Sequence, residues 1–144
     1  MKFIKNEPFI GVTKKPVKIR EESKEDAVEA TVGSMLKLVL TSYTPNPQER
    51  QVLSVADIRK YNRVMDILDG SPNATEDKDY YRFEDEDFSV AQRVVDWMSP
   101  LLIISISRNM PQLVDILSKA KNENDFKAKE EKKDKEESDG TKAS

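Results

Sequence analysis

The sequence predicts a mostly α-helical α+β fold, with four or five amphipathic helices, a small two-stranded antiparallel sheet and a disordered C-terminal tail. Apolar residues recur at steps of three and four over several stretches that open with capping residues, which is typical of amphipathic helices. Two short stretches alternate in polarity instead, which is typical of half-buried strands. Lys, Glu and Asp dominate after residue 120, where too few apolar side chains remain to offset the entropy of ordering. We therefore expect a single domain over 1–120 and a charged tail over 121–144.

A basic N-terminal arm over residues 1–22 ends in the first predicted strand. Val17 and Ile19 alternate with Lys18 and Arg20, and a proline just before them suits the start of an edge strand. Lysines on such an edge oppose pairing with other molecules. The same residues permit a second interpretation, in which the arm binds nucleic acid, but the edge strand is favoured.

A long helix is predicted from Lys24 to Ser42. Ser23 and Asp26 have the spacing of a capping box. The sequence TPNP that follows ends the helix in a loop. A continuous helical stripe of apolar residues lies between these signals, formed by Val28, Val32, Met35, Leu36, Val39, Leu40 and Tyr43.

The most clearly marked element is a helix from Ser54 to Gly70. Ser54 can cap its first turn, where Asp57 faces the positive end of the helix dipole. Leu53 is spaced to pack against Ile58 as a hydrophobic staple. Gly70 supplies the left-handed residue that commonly ends a helix. The apolar stripe consists of Ile58, Tyr61, Val64, Met65, Ile67 and Leu68.

The sequence YYRF at residues 80–83 predicts the second strand, because its side chains alternate in polarity. We expect this strand to pair with the strand at 17–20, which would set an acidic segment beside a basic one. Opposite charges facing each other across a strand pair contribute about 0.2–1 kcal/mol each. Such pairs would help to fix the register without determining the fold.

Two further helices are predicted in the C-terminal part. Asp85 or Asp87 can cap a helix over 86–98, with Trp97 near the edge of its apolar stripe. Asn109, with a proline two residues later, starts the last helix. The apolar sequence LLIISISR between them suits either a buried helical turn or a buried strand, and its periodicity does not separate the two.

Histidine and cysteine are absent from all 144 residues, which removes the commonest general base, metal ligands and thiolate chemistry. Neither a Gly-rich phosphate loop nor a Gly-x-Ser-x-Gly elbow is present. Asp77 and Asp79 resemble the opening of a calcium loop, but Tyr81 and Arg82 stand where such a loop needs an oxygen ligand and a glycine. We therefore expect a protein that is not an enzyme, with no catalytic residue, cofactor or metal.

Charge and hydropathy favour a cytoplasmic protein that does not enter a membrane. The longest apolar run, residues 101–104, is far too short to span a bilayer. A formal net charge of −3 gives the whole molecule no strong field toward nucleic acid or anionic lipid.

By elimination, the predicted function is a non-enzymatic protein-interaction module. Its candidate interface residues are Asp79, Glu84, Asp85, Glu86 and Trp97. The alternative is a small nucleic-acid-binding protein, whose candidate residues are Lys14, Lys15, Lys18, Arg20, Arg59, Lys60 and Arg63. A third hypothesis is a homo-oligomer that assembles through Trp97 and the run 101–106.

Three stretches of the sequence carry a resemblance to a known class of proteins: KPVKIREE, LSVADIRKYNRVMDIL and YYRFEDEDFSVAQRVVDWM. In their order they resemble small accessory proteins of tailed bacteriophages. The resemblance implies a small protein that binds another protein, either in phage assembly or in modulating a host enzyme. It would place the protein in the cytoplasm of the host.

Overall fold

A computed structural model describes residues 1–19, 27–70 and 80–122, which form helices packed with small antiparallel sheets. The predicted mostly α-helical α+β class is confirmed. The helices are α1 (Val32–Thr41), α2 (Val55–Asp69), α3 (Asp85–Met98), α4 (Ile104–Ser107) and α5 (Met110–Ser118), with 3₁₀ turns at Pro47–Glu49 and Ser99–Leu101. The strands are β1 (Lys2–Lys5), β2 (Lys18–Ile19), β3 (Val28–Glu29), β4 (Tyr80–Phe83) and β5 (Lys121–Asn122).

The strand β1 lies at the centre of a three-stranded antiparallel sheet with the order β4-β1-β5. Lys2 faces Phe83 and Lys5 faces Tyr80 across the β1–β4 pair. The strand β2 pairs with β3 in a separate two-stranded sheet, so the predicted pairing of β2 with β4 is wrong. Both predicted strands are present, but each has a different partner.

The helix α1 begins at Val32, eight residues after the predicted start at Lys24. Its N-cap is Thr31, whose hydroxyl accepts a hydrogen bond from the Ser34 N–H while the Ser34 hydroxyl accepts one from the Thr31 N–H. Val28, predicted in the helix, lies in β3, where backbone pairing with β2 holds the chain extended. The capping box predicted at Ser23 and Asp26 lies outside the described residues.

The helix α2 agrees with its prediction at the start and departs from it at the end. The Ser54 hydroxyl accepts a hydrogen bond from the Asp57 N–H, as predicted. Gly70 has a φ of −92° and is extended, so the predicted left-handed cap is wrong. Ile58 is 44 % exposed, because the buried side of the helix is centred further along the chain, on Val64 and Leu68.

The helix α3 begins at Asp85 with Glu84 at the N-cap position, and the Glu84 side chain makes no hydrogen bond to the described first turn. Neither Asp85 nor Asp87 is the cap, because the Asp87 carboxylate bonds to Arg63 of α2 instead. The sequence LLIISISR forms a 3₁₀ turn and the single helical turn α4. The last helix, α5, begins one residue after Asn109, as predicted.

One hydrophobic core joins α1, α2, α3, α5 and the inner faces of the sheets. Its largest fully buried side chains include Phe9, Met35, Leu36, Leu40, Phe83, Met110 and Leu113. The strand β5 lies within the segment predicted as a tail and pairs with β1. Residues 123–144 lie outside the described part of the chain.

Candidate interaction surface

Charged side chains join α2 to α3 along their shared face. Arg63 donates two hydrogen bonds to Asp87, from Nε to Oδ2 at 3.0 Å and from Nη2 to Oδ1 at 2.7 Å. The Asp87 side chain is 2 % exposed. Arg93 Nη1 donates to Asp57 Oδ2 at 2.9 Å. Since residue 57 faces 93 and residue 63 faces 87, the helices run antiparallel, and the first turn of α2 lies beside the last turns of α3.

These contacts occupy most of the basic face of α2 that was a candidate for binding nucleic acid. Lys60 Nζ lies 3.9 Å from Asp57 Oδ1 and 3.8 Å from Glu86 Oε2. The hydrogen bond from Arg93 holds the pKa of Asp57 below its usual range, against the opposing effect of burial. The hydrogen bonds to Asp87 raise the pKa of the Arg63 guanidinium. Lys60 and Arg63 therefore pair within the molecule, while Arg59 is exposed to solvent.

The candidate lysines of the N-terminal arm lie on an exposed hairpin. The Gly11 N–H donates to the Lys15 carbonyl and the Lys14 N–H donates to the Gly11 carbonyl, at 3.1 and 3.0 Å. Lys14 adopts a left-handed backbone with a φ of 62°. Lys18 faces Glu29 across the β2–β3 pair. Arg20 lies outside the described residues.

The acidic candidates lie at the N-terminal end of α3, where carboxylates interact favourably with the helix dipole. Glu84, Asp85 and Glu86 are exposed, and Asp79 lies outside the described residues. Asp85 Oδ1 lies 2.9 Å from the amino group of Met1, and that hydrogen bond lowers the pKa of Asp85.

Trp97 lies near the opposite end of α3, about 18 Å from Asp85 at about 1.5 Å per residue. Its ring stacks on Tyr43, with the ring centroids 6.2 Å apart, and the Arg93 guanidinium lies 5.7 Å from the Trp97 centroid. The Tyr43 hydroxyl donates to the Gln51 carbonyl, and so it ties the loop before α2 to this end of α3. Trp97 thus has a packing role, and the structure separates it from the acidic residues of the candidate interface.

Aliphatic side chains are exposed on the segment that follows α3. Leu101 is 52 % exposed, Ile103 68 % and Ile104 78 %. Leu102 and Ile106 turn inward and pack against the core. At the same end of the α2–α3 pair, Val55 in the first turn of α2 is also largely exposed. Both sequence-based interpretations of LLIISISR placed this run in the interior, and the structure contradicts them for these three residues.

The N-terminal hairpin lies against this aliphatic segment through Asn109. The Val12 N–H donates to Asn109 Oδ1 at 2.9 Å, and Asn109 Nδ2 donates to the Ser105 carbonyl at 3.0 Å. Asn109 is buried, and it spends its amide on these two bonds rather than on capping α5. Val12 is half-exposed beside α4. We define the apolar surface as Val12, Leu101, Ile103 and Ile104.

The chain was compared with protein-family models, curated proteins and solved structures. None of them matches it.

Other kinds of site are not found in the described ranges 1–19, 27–70 and 80–122. No group of three or more metal-ligating side chains comes together there. None of the helices described in those ranges has the length and apolar character needed to cross a membrane. The apolar surface is consequently the feature from which we infer a function.

A composition signal for the apolar surface was present in the sequence. Residues 101–106 contain five aliphatic side chains in six positions. A segment only one or two turns long can bury side chains on only one side. Leu102 and Ile106, four residues apart, take that side, and their neighbours must face outward. The link to Val12 had no such signal, because it depends on a hydrogen bond between residues 97 positions apart.

Proposed function

We propose that the protein is a non-enzymatic interaction module that binds another protein through the apolar surface. The observation that carries this proposal is the outward exposure of Leu101, Ile103 and Ile104 beside Val12. Single exposed aliphatic residues are common on proteins, whereas clustered ones mark sites of contact. Covering them removes apolar area from water at roughly 25 cal/mol per Å². A partner that covers this surface would gain that free energy.

The same geometry favours a protein over nucleic acid as the ligand. Lys60 and Arg63 are paired with carboxylates of the same molecule, so they are poorly placed to neutralise phosphates. Aliphatic side chains have no counterpart on a phosphate backbone. The nucleic-acid alternative rests on the remaining lysines of the hairpin, and a salt titration of DNA or RNA binding tests it.

The resemblance to accessory proteins of tailed bacteriophages agrees with this proposal. It implies a role in phage assembly or in modulating a host enzyme, in the cytoplasm of the host. Both roles need a surface that binds another protein and neither needs catalytic residues. The acidic N-terminal end of α3 would then be secondary, since its carboxylates already stabilise the helix.

The test is capture of partners by the immobilised full chain and by matched variants. Ile103→Asp/Ile104→Asp places charges on the apolar surface, and Asn62→Asp places one on an exposed position of α2. We expect a protein from the source cells to be retained by the unmodified chain and by Asn62→Asp, and lost with the double variant. Retention of no protein, or equal retention by all three chains, would contradict the proposal.

Circular dichroism and sedimentation of the same three chains complete the test. Because positions 103 and 104 are exposed, the double variant should unfold within roughly 0.5 kcal/mol of the unmodified chain. A concentration-dependent dimer that is lost with the double variant would show that the bound protein is a second copy of this chain.

A further inference from the structure

We propose that the segment docking on the apolar surface is an acidic peptide with aliphatic side chains. The inference rests on the proposed function and adds the chemistry of the partner. It is carried by three cations that border the apolar surface: Lys14, Lys15 and Arg108. We call these three residues the basic rim.

Backbone hydrogen bonds place the basic rim beside the apolar surface. The hairpin turn closes between Gly11 and Lys15, and Val12 within that turn bonds to Asn109, the neighbour of Arg108. A Cβ at Gly11 would collide with the Asn109 side chain, so the hairpin and the start of α5 are in direct contact. Lysines and arginine therefore meet on one side of the exposed aliphatic segment.

The three side chains of the basic rim are exposed and remain available to a ligand. The ion pairs found among the described residues involve none of them. Lys18 differs, because it faces Glu29 in the neighbouring strand. A carboxylate from a partner would thus find cations on the rim that no described carboxylate has engaged.

The combination fits a peptide better than a nucleic acid or a membrane. Binding of single-stranded nucleic acid relies on aromatic side chains that stack on bases, and the apolar surface consists of aliphatic residues. Membrane-surface binding relies on a long amphipathic helix, and α4 has four residues. An acidic peptide with aliphatic side chains uses both features, because its apolar residues cover the surface while its carboxylates meet the rim.

The two features should contribute differently to binding. Buried aliphatic contacts supply most of the affinity of such an interface. Charges on a rim mainly set the association rate and the choice of partner. We therefore expect charge reversal on the rim to weaken an acidic ligand, and to strengthen a basic one of the same apolar content.

The experiment uses a short fluorescein-labelled peptide rich in glutamate and leucine, with two control peptides in which lysine replaces glutamate or serine replaces leucine. Fluorescence anisotropy with the full chain should show binding of the glutamate–leucine peptide and weak or no binding of both controls. Lys14→Glu/Lys15→Glu/Arg108→Glu should weaken it about tenfold or more. Arg82→Glu, at an exposed position of β4, should leave binding unchanged.

The neutral variant Lys14→Gln/Lys15→Gln/Arg108→Gln serves in case the charge reversal disturbs folding, and it should weaken binding by a smaller factor. Equal binding of the lysine and glutamate peptides, or failure of either rim variant to weaken binding, would overturn the inference. So would rim-dependent binding of phosphatidylserine vesicles or single-stranded DNA in place of the peptide.

The two proposals fail in different ways. A captured partner that needs Ile103 and Ile104 but still binds the rim variants would leave the proposed function standing and remove only the acidic peptide. A partner that is indifferent to Ile103 and Ile104 would remove both.

Discussion

At Gly33 the backbone of α1 passes against the ring of Tyr81, and no side chain can fit between them. A Cβ on Gly33 would lie 2.6 Å from Tyr81 Cε2 and 2.9 Å from Asn6 Oδ1. The Asn6 side chain also accepts a hydrogen bond from the Gly33 N–H, which satisfies one of the free donors in the first turn of α1. One glycine thus allows α1 to lie close to the chain that follows β1 and to β4.

The substitution Gly33→Ala should therefore destabilise the fold, by about 1–3 kcal/mol, as overpacked cores do. The matched control is Gly70→Ala, because a Cβ at Gly70 would lie 3.6 Å from its nearest neighbour, an ordinary contact. Urea denaturation measures both free energies of unfolding. Equal midpoints for the two variants would show that the close approach at Gly33 does not constrain the fold.

At the scale of elements, the pairing of α2 with α3 depends on carboxylates held beside guanidinium groups. Asp57 and Asp87 lie on the shared face, bound to Arg93 and Arg63 respectively. Removing only one partner of such a pair leaves a charge that has lost its hydrogen bonds. The pairs also fix the antiparallel register that brings the start of α2 to the end of α3.

The Asp57–Arg93 pair should make stability depend on pH in the acid range. The pKa of Asp57 is lowered in the folded state, so the pair contributes stability that is fully present above the unfolded-state pKa of about 3.9. That contribution is lost as the pH falls through the lower folded-state pKa. We expect the stability difference between the unmodified chain and Asp57→Asn to be constant between about pH 5 and 7 and to shrink below about pH 4.

Denaturation curves at a series of pH values check this expectation, with Asp66→Asn as the control. Asp66 is an exposed residue of the same helix and makes no ion pair with another described residue. A difference for Asp57→Asn that stayed constant down to the lowest pH would argue against the pair.

The elements that could be predicted from the sequence are those whose signals are local. The Ser54 cap of α2 and the start of α5 after Asn109 each depend on a few neighbouring residues. The strand β1 has no such signal, because adjacent Phe3 and Ile4 are both buried, on opposite faces. A period-two pattern requires one face to be polar, so this strand could not be recognised.

Long-range contacts account for the other departures. Val28 continues the helical stripe of α1 in the sequence, but pairing with β2 holds it in a strand. Asp87 has the right spacing for a cap, but Arg63, 24 residues earlier, takes its carboxylate. The same limit applies to the candidate site, because pairing across helices engages Lys60 and Arg63 and leaves the aliphatic residues after α3 exposed.

At the scale of the whole molecule, charge and apolar character are distributed over separate regions. The acidic N-terminal end of α3 is about 18 Å along the helix from Trp97. The apolar surface lies beyond the other end of α3, with the basic rim beside it. A module with such an arrangement can orient an amphipathic partner, because its apolar and charged contacts lie side by side in a fixed order.

Site-specific photo-crosslinking tests the central claim most directly, because it reports what covers the apolar surface inside the cell. A photoreactive amino acid is placed at position 104 in one chain and, as a control, at the exposed position 62 of α2 in another. We predict a discrete protein adduct from position 104 that is absent from position 62 and disappears when Ile103→Asp is added. No adduct from position 104, or the same adducts from both positions, would contradict the assignment of the apolar surface as a protein-binding site.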